Sequence, residues 1–129
     1  MMKVLLIEPD KILGHVYERA IERLGRCSVT TVSGAQAAIM EADRQLPDVV
    51  IVELQLIEHS GIEFLYEFRS YPEWQSVPVI VHTIVPFSEF IDNWQLLQNE
   101  LGVCAYLYKP QTSIKALLRS LKQYTPIAA

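Results

Sequence analysis

The sequence predicts one α/β domain, an open parallel sheet of five strands covered by helices on both faces. Three observations carry that prediction. Short apolar runs alternate with amphipathic helical patterns five times along the chain, and strict alternation of this kind implies a parallel sheet buried on both sides. The chain has 129 residues, 50% of them apolar and 20% charged. That is enough for one sizeable core and too little for the eight βα units of a closed barrel. The composition also excludes disorder and collagen-like repeats.

The elements follow in order. Val4-Leu5-Leu6-Ile7, closed by Glu8-Pro9-Asp10, reads as a buried strand. A helix follows with Leu13, Val16, Ala20, Ile21 and Leu24 on its apolar face and Gly25 as its stop. Cys27 to Val32, half Ser and Thr, is a weaker strand. Ser33 is the expected cap of a second helix, with Ala35, Ala38, Ile39, Ala42 and Leu46 facing inward and Pro47-Asp48 ending it. Val49 to Val52 is the second strongly apolar strand. After a loop ending at Gly61, Phe64, Leu65 and Phe68 mark a third helix that stops before Pro72.

Val77 to Thr83 reads as the fourth strand, with Pro78 at its start where a missing N–H is tolerated. Phe87, Phe90, Ile91, Trp94, Leu97 and Leu101 predict one continuous fourth helix over 86–101, ended by Gly102. Val103 to Tyr108 is the last strand. Thr112 is the expected cap of a fifth helix over 112–124, with Ile114, Leu117, Leu118 and Leu121 inward. The domain is expected over 1–125, with 126–129 as a short tail.

Strands 1, 3 and 4 are the most apolar and belong in the centre; strands 2 and 5 are mixed and belong at the edges. That is the flavodoxin-like doubly wound order 2-1-3-4-5. It sets Cys27 and Cys104 on opposite edge strands, ~19 Å apart at the usual strand spacing, so no intrachain disulfide is expected. Reduced thiols suit a cytoplasmic location.

Charge excludes several functions. Lys and Arg number 11 and Asp and Glu 15, for a net charge of −4. A mildly acidic domain lacks the footprint of a nucleic-acid binder or a polybasic membrane patch. No apolar run approaches the ~20 residues a bilayer span needs, and no secretory signal is expected. No GxGxxG or P-loop occurs, and the loop after the first strand has no Gly/Ser/Thr cradle for phosphate, which disfavours a flavoprotein-type binder.

In an open parallel sheet, ligands bind beyond the carboxyl ends of the strands. Those ends carry Glu8-Pro9-Asp10, Glu53, Thr83 and Lys109-Pro110. Two or three acids, a hydroxyl and a lysine therefore converge on one crevice. Four segments in this order and spacing, Glu8-Pro9-Asp10, Pro47 to Gly61, Val77 to Thr83, and Ala105 to Pro110, resemble the response-regulator receiver domain, the phosphoacceptor module of two-component signalling. The resemblance runs from Lys3 to about Tyr124.

Two departures stand out. The family's phosphorylated residue is Asp, and here the position holds Glu53. The family's first strand ends in two adjacent acids that hold Mg²⁺; here Glu8 takes the first position, Pro9 the second, and Asp10 is displaced by one residue. An extra methylene moves the carboxylate by on the order of 1 Å, and a shift of that size can cost ~100-fold in a positioned reaction. Replacing an acid by Pro removes a hard oxygen ligand and a charge from the metal site. The expectation is a stand-alone receiver-like module in phosphorelay signal transduction, with a vestigial phosphorylation site at Glu53, Thr83 and Lys109. It acts by protein contact in a fixed or phosphomimetic state and is not an enzyme.

No cofactor is expected beyond a weak or lost Mg²⁺ site at Glu8 and Asp10. The alternative is an active Mg²⁺-dependent phosphoacceptor with unusual ligands. The resemblance further implies Thr83 and Tyr106 as a coupled switch pair, a Lys109–Glu53 ion pair, and a raised chance of a cis Lys109–Pro110 bond. It implies protein partners, or a homodimer, on the face made by helix 4, strand 5 and helix 5. His15, His59 and His82 show no metal-ligand spacing; His82 in its strand reads as a packed histidine.

Overall fold

The apolar runs become strands because helices cover the sheet on both sides, so every second residue finds a core whichever way it points. A computed structural model describes residues 1–125; the expected tail 126–129 lies outside the described residues. The strands are β1 (Met2–Ile7), β2 (Cys27–Val32), β3 (Val49–Val52), β4 (Val79–Thr83) and β5 (Val103–Tyr108). The helices are α1 (Lys11–Glu22), α2 (Ala35–Arg44), α3 (Gly61–Ser70), α4 (Trp94–Asn99) and α5 (Ile114–Gln123). All strand pairs are parallel, in the order β2-β1-β3-β4-β5, as the sequence predicts.

Alternation along the central strands divides the interior into two cores. Leu5, Ile7, Val50, Val52, Val79 and Val81 meet α2, α3 and Leu97 of α4 on one side. Val4, Leu6, Val49, Ile51 and Ile80 meet Tyr17 and Ile21 of α1 and Leu117 and Leu121 of α5 on the other. Cys27 and Cys104 are free thiols on the two edge strands.

Several local expectations are corrected. The fourth helix is not continuous: 3-10 turns at Phe87–Glu89 and Ile91–Asn93 precede the six-residue α4. Ser88, Asp92 and Asn93 are poor helix-interior residues because their side chains compete for the backbone. The aromatic rings instead gather around Tyr106, with Phe87 at 5.1 Å and Trp94 at 6.4 Å between centroids. In α1, Tyr17 is buried and Val16 is 40% exposed, since positions 13, 17, 21 and 24 form an equally good stripe with a larger ring. Leu46 lies past the end of α2 and is exposed, and Ile114 in the first turn of α5 is exposed too.

Capping also differs. Gly34, not Ser33, precedes α2, without a side-chain cap. Ser113, not Thr112, caps α5 by accepting from Ala116 N, while the Thr112 hydroxyl donates to Tyr108 O. Pro78 stands just outside β4, and the Lys109–Pro110 bond is trans. Arg69 had no assigned role in the sequence. It reaches from α3 and donates to Leu101 O at 2.9 Å, Trp74 O at 2.6 Å and Val77 O at 2.6 Å, pinning the α3–β4 and α4–β5 connections with one guanidinium.

Candidate functional site

Glu53 follows β3, and its backbone N–H donates to Ile7 O, which continues the sheet pairing by one residue and aims the side chain at the crevice. Gly61 allows the following loop to fold back. A Cβ there would lie 2.7 Å from both Glu53 O and Leu54 Cα, so only glycine fits without a backbone shift. Ser60 then starts α3 with a capping box to Glu63.

The Glu53 carboxylate is buried and fully engaged. Oε1 accepts from Lys109 Nζ at 2.7 Å and from Ile84 N at 3.2 Å. Oε2 accepts from Gln55 N at 3.0 Å and from the Thr83 hydroxyl. Lys109 also contacts Glu8 Oε1 at 2.6 Å, so one ammonium bridges two buried carboxylates. Such a cluster balances desolvation against attraction and need not stabilise the fold on its own.

The ionisation follows from these contacts. Burial pushes the Glu53 carboxyl upward, but donors from Gln55, Lys109 and Thr83 outweigh it and hold its pKa below the ordinary value. Burial pulls Lys109 downward, and Glu53 and Glu8 reverse that, so its pKa is raised. Glu53 and Lys109 therefore both stay charged at neutral pH in the folded protein.

Thr83 links this cluster to β5. Its hydroxyl accepts from Val85 N at 3.1 Å, and the Tyr106 hydroxyl donates to Val85 O at 2.7 Å. Burial first, then the charges of Glu89 and Glu53, raise the Tyr106 pKa, which keeps the phenol a donor. The expected Lys109–Glu53 pair and the proximity of Glu53 to Thr83 are therefore both present. The backbone donors of Gln55 and Ile84 escaped sequence reasoning because main-chain direction carries no residue-type signal.

Asp10 is placed differently from Glu8. Its Oδ1 accepts from Ile12 N and Leu13 N as the cap of α1, while its own N–H donates to Glu8 Oε2 at 3.1 Å. The donor set does not fit a divalent cation. The facing oxygens of Glu8 and Glu53 already hold an ammonium, Pro9 offers no oxygen side chain, and no group of three acids, histidines or cysteines is arranged to hold a metal among the described residues.

Behind the lysine, His82 is packed in its strand as the sequence predicts, and the sequence did not reveal its partner, Tyr17. His82 is 3% exposed and meets the Tyr17 ring edge-on at 4.9 Å. Burial, then the Lys109 charge, lowers the His82 pKa to about 4. Tyr17 is likewise raised by burial. A neutral His–Tyr pair thus lines the inner side of the charged cluster.

A five-stranded doubly wound sheet with an acid, a hydroxyl and a lysine at its carboxyl edge defines a signalling receiver module. The family model for the response regulator receiver domain matches residues 4–122, and the chain belongs to that family. It is 33% identical over 110 residues to the KDP operon transcriptional regulatory protein KdpE of Escherichia coli, covering 85% of this chain and 45% of that protein. It is 26% identical over 121 residues to the polar-differentiation response regulator DivK of Brucella ovis, covering 94% of each. The chain thus spans about half of KdpE (45%) and a third of TcrX of Mycobacterium tuberculosis (33%). Among solved structures, the Vibrio cholerae chemotaxis protein CheY4 superposes with a TM-score of 0.83 at 20% identity, over 96% of this chain and 98% of that one, a likeness of fold. The chain is therefore a receiver domain of two-component signalling. No helix among the described residues is long and apolar enough to cross a membrane.

Proposed function

We propose that this receiver works without phosphorylation, as a protein-contact module that Glu53 holds in one state. The carrying observation is that both Glu53 oxygens are occupied by Lys109, Thr83 and the backbone N–H groups of Gln55 and Ile84. A carboxylate saturated in this way is a poor nucleophile, and the donors that would stabilise a transferred phosphoryl group are already used. The charge imitated is partial, −1 against about −1.5 to −2 for a phosphorylated side chain.

The Thr83–Val85–Tyr106 chain supplies the route from site to surface, and the aromatic cluster of Phe87, Trp94 and Tyr106 stands beside β5. The face made by α4, β5 and α5 is the proposed partner surface. A cytoplasmic location suits this role.

The test is intact mass after incubation with acetyl phosphate and Mg²⁺. The expected mass is unchanged. A stoichiometric phosphoryl adduct on Glu53 would overturn the reading in favour of an active phosphoacceptor.

A further inference from the structure

We propose that this chain assembles head to tail, the α1/α5 face of one copy seating on the α2/α3 face of the next. The proposal is independent of what residue 53 does. It rests on a sorting of surface charge that the net value of −4 conceals.

On the α1/α5 side, Lys11, Arg19, Arg23 and Arg26 are exposed, and so are Lys115, Arg119 and Lys122. Among the described residues only Asp10 and Glu22 are exposed acids there, and Asp10 uses its carboxylate to cap the start of α1. Glu18 is half-buried and accepts from the Thr31 hydroxyl. On the other side, α2, α3 and their loops expose Asp43, Glu58, Glu63, Glu67 and Glu73, and the segment around α4 adds Glu89, Asp92 and Glu100. Arg44 is the one exposed cation of that layer among the described residues, and it pairs with Glu41 at 2.5 Å. The two layers of one small domain thus carry opposite charge.

Shape and apolar surface match the charges. A groove of about 440 Å³ lies between α2 and α3, lined by Ile39, Met40 and Phe64 and edged by Glu63 and Glu67. Met40 is 70% exposed, and Ile57 close by is 86% exposed. On α1, positions 12, 16, 19 and 23 fall on one stripe. That stripe reads Ile12, Val16, Arg19, Arg23, with Ile12 78% exposed. Two apolar side chains followed by two cations complement an apolar groove followed by two carboxylates one turn apart.

A second copy is the occupant because both halves of the match are present in every molecule at equal concentration. The two surfaces are different, so the contact is heterologous and grows as an open chain. Exposed ion pairs are screened by salt, so assembly is salt-dependent.

Sedimentation velocity tests this on the whole chain at ~10 mM ionic strength, where the Debye length is ~30 Å, and at ~1 M, where it is ~3 Å. At low salt the average sedimentation coefficient is expected to climb with concentration past the dimer, and at high salt to fall to the monomer value. Arg19→Gln with Arg23→Gln, and Glu63→Gln with Glu67→Gln, should each give monomers at low salt. Gln at position 63 preserves the capping box of α3, and thermal unfolding of each variant separates loss of assembly from loss of fold. Mixed together, the two variants should form one-to-one dimers and stop, since each retains one intact face. Three results would overturn the proposal: a monomer at every concentration in low salt, which would leave the acidic groove to a basic partner of another kind; assembly that survives ~1 M salt, beyond the reach of screening; or a closed dimer indifferent to these substitutions.

Discussion

The carboxylate of Glu53 and the phenol of Tyr106 are joined by three hydrogen bonds in series. Thr83 Oγ1 donates to Glu53 Oε2, Val85 N donates to Thr83 Oγ1, and Tyr106 OH donates to Val85 O. A buried charge is thereby connected to the aromatic cluster beside β5 through one side chain and one backbone residue.

Glu53→Gln keeps the shape of the side chain and removes its charge. Lys109 is left with Glu8 as its only carboxylate. Gln presents one acceptor oxygen where the carboxylate presents two, so donors at one of the two positions lose their partner, at an expected cost of about 2 kcal/mol read as a lower urea midpoint. Trp94 fluorescence, recorded in a Trp74→Phe background, is expected to shift as the Phe87–Trp94–Tyr106 cluster loosens. An unchanged spectrum would mean the charge does not hold the cluster.

Phosphate acceptance should be restorable. Pro9→Asp returns an oxygen ligand next to Glu8, and Glu53→Asp draws the carboxylate back by about 1 Å from Lys109, Thr83 and Ile84. The double variant is expected to bind Mg²⁺ and gain one phosphoryl group from acetyl phosphate. If the double variant stays inert, elements other than residues 9 and 53 block the chemistry.

Stability should be flat from about pH 6.5 to about pH 8 and fall on both sides, the alkaline limb opening with the Cys27 and Cys104 thiols, which burial raises. His82 drops from 6.5 to about 4 on folding, so between those values the unfolded chain binds the extra proton and stability declines as pH falls. Over that interval the loss is roughly 3 kcal/mol. Glu53, lowered on folding, adds to the acid limb: its contribution is present above the unfolded value and is lost as pH falls through the folded one. Lys109, raised on folding, contributes fully below its unfolded value and loses that contribution as pH rises through the folded one. Urea midpoints against pH, compared with His82→Val, check the sign. The variant should flatten the limb above pH 4, and an unaltered limb would rule out His82 as its source.

Arg69→Lys keeps the charge but loses the planar fork that serves Leu101 O, Trp74 O and Val77 O. Two or more buried carbonyls lose their donor, at a cost of about 3 kcal/mol. Hydrogen exchange is expected to speed up across the α4–β5 turn before it does so in β1 or β3. Uniform acceleration would instead mark a global role.

Much of this molecule was legible in its residue order. The strands β2, β3 and β5 fall where apolar runs are bounded by Gly, Pro and acids, and the edge positions of β2 and β5 follow from their mixed composition. Glu53, Thr83 and Lys109 were legible because a parallel sheet delivers its strand ends to one edge, whatever the side chains. What only tertiary structure decided is where each group turns next. The backbone N–H groups of Gln55 and Ile84 reach Glu53, Asp10 turns to the start of α1, and Tyr17 displaces Val16 from the core. The broken fourth helix divides between the two: Ser88, Asp92 and Asn93 disfavour a helix interior locally, and the packing of the aromatic residues on Tyr106 takes the place of the helical stripe. Periodicity reports which residues avoid water. It does not report which of two equally spaced side chains fills a given space, nor which donor a buried oxygen will meet, because those depend on segments distant in sequence.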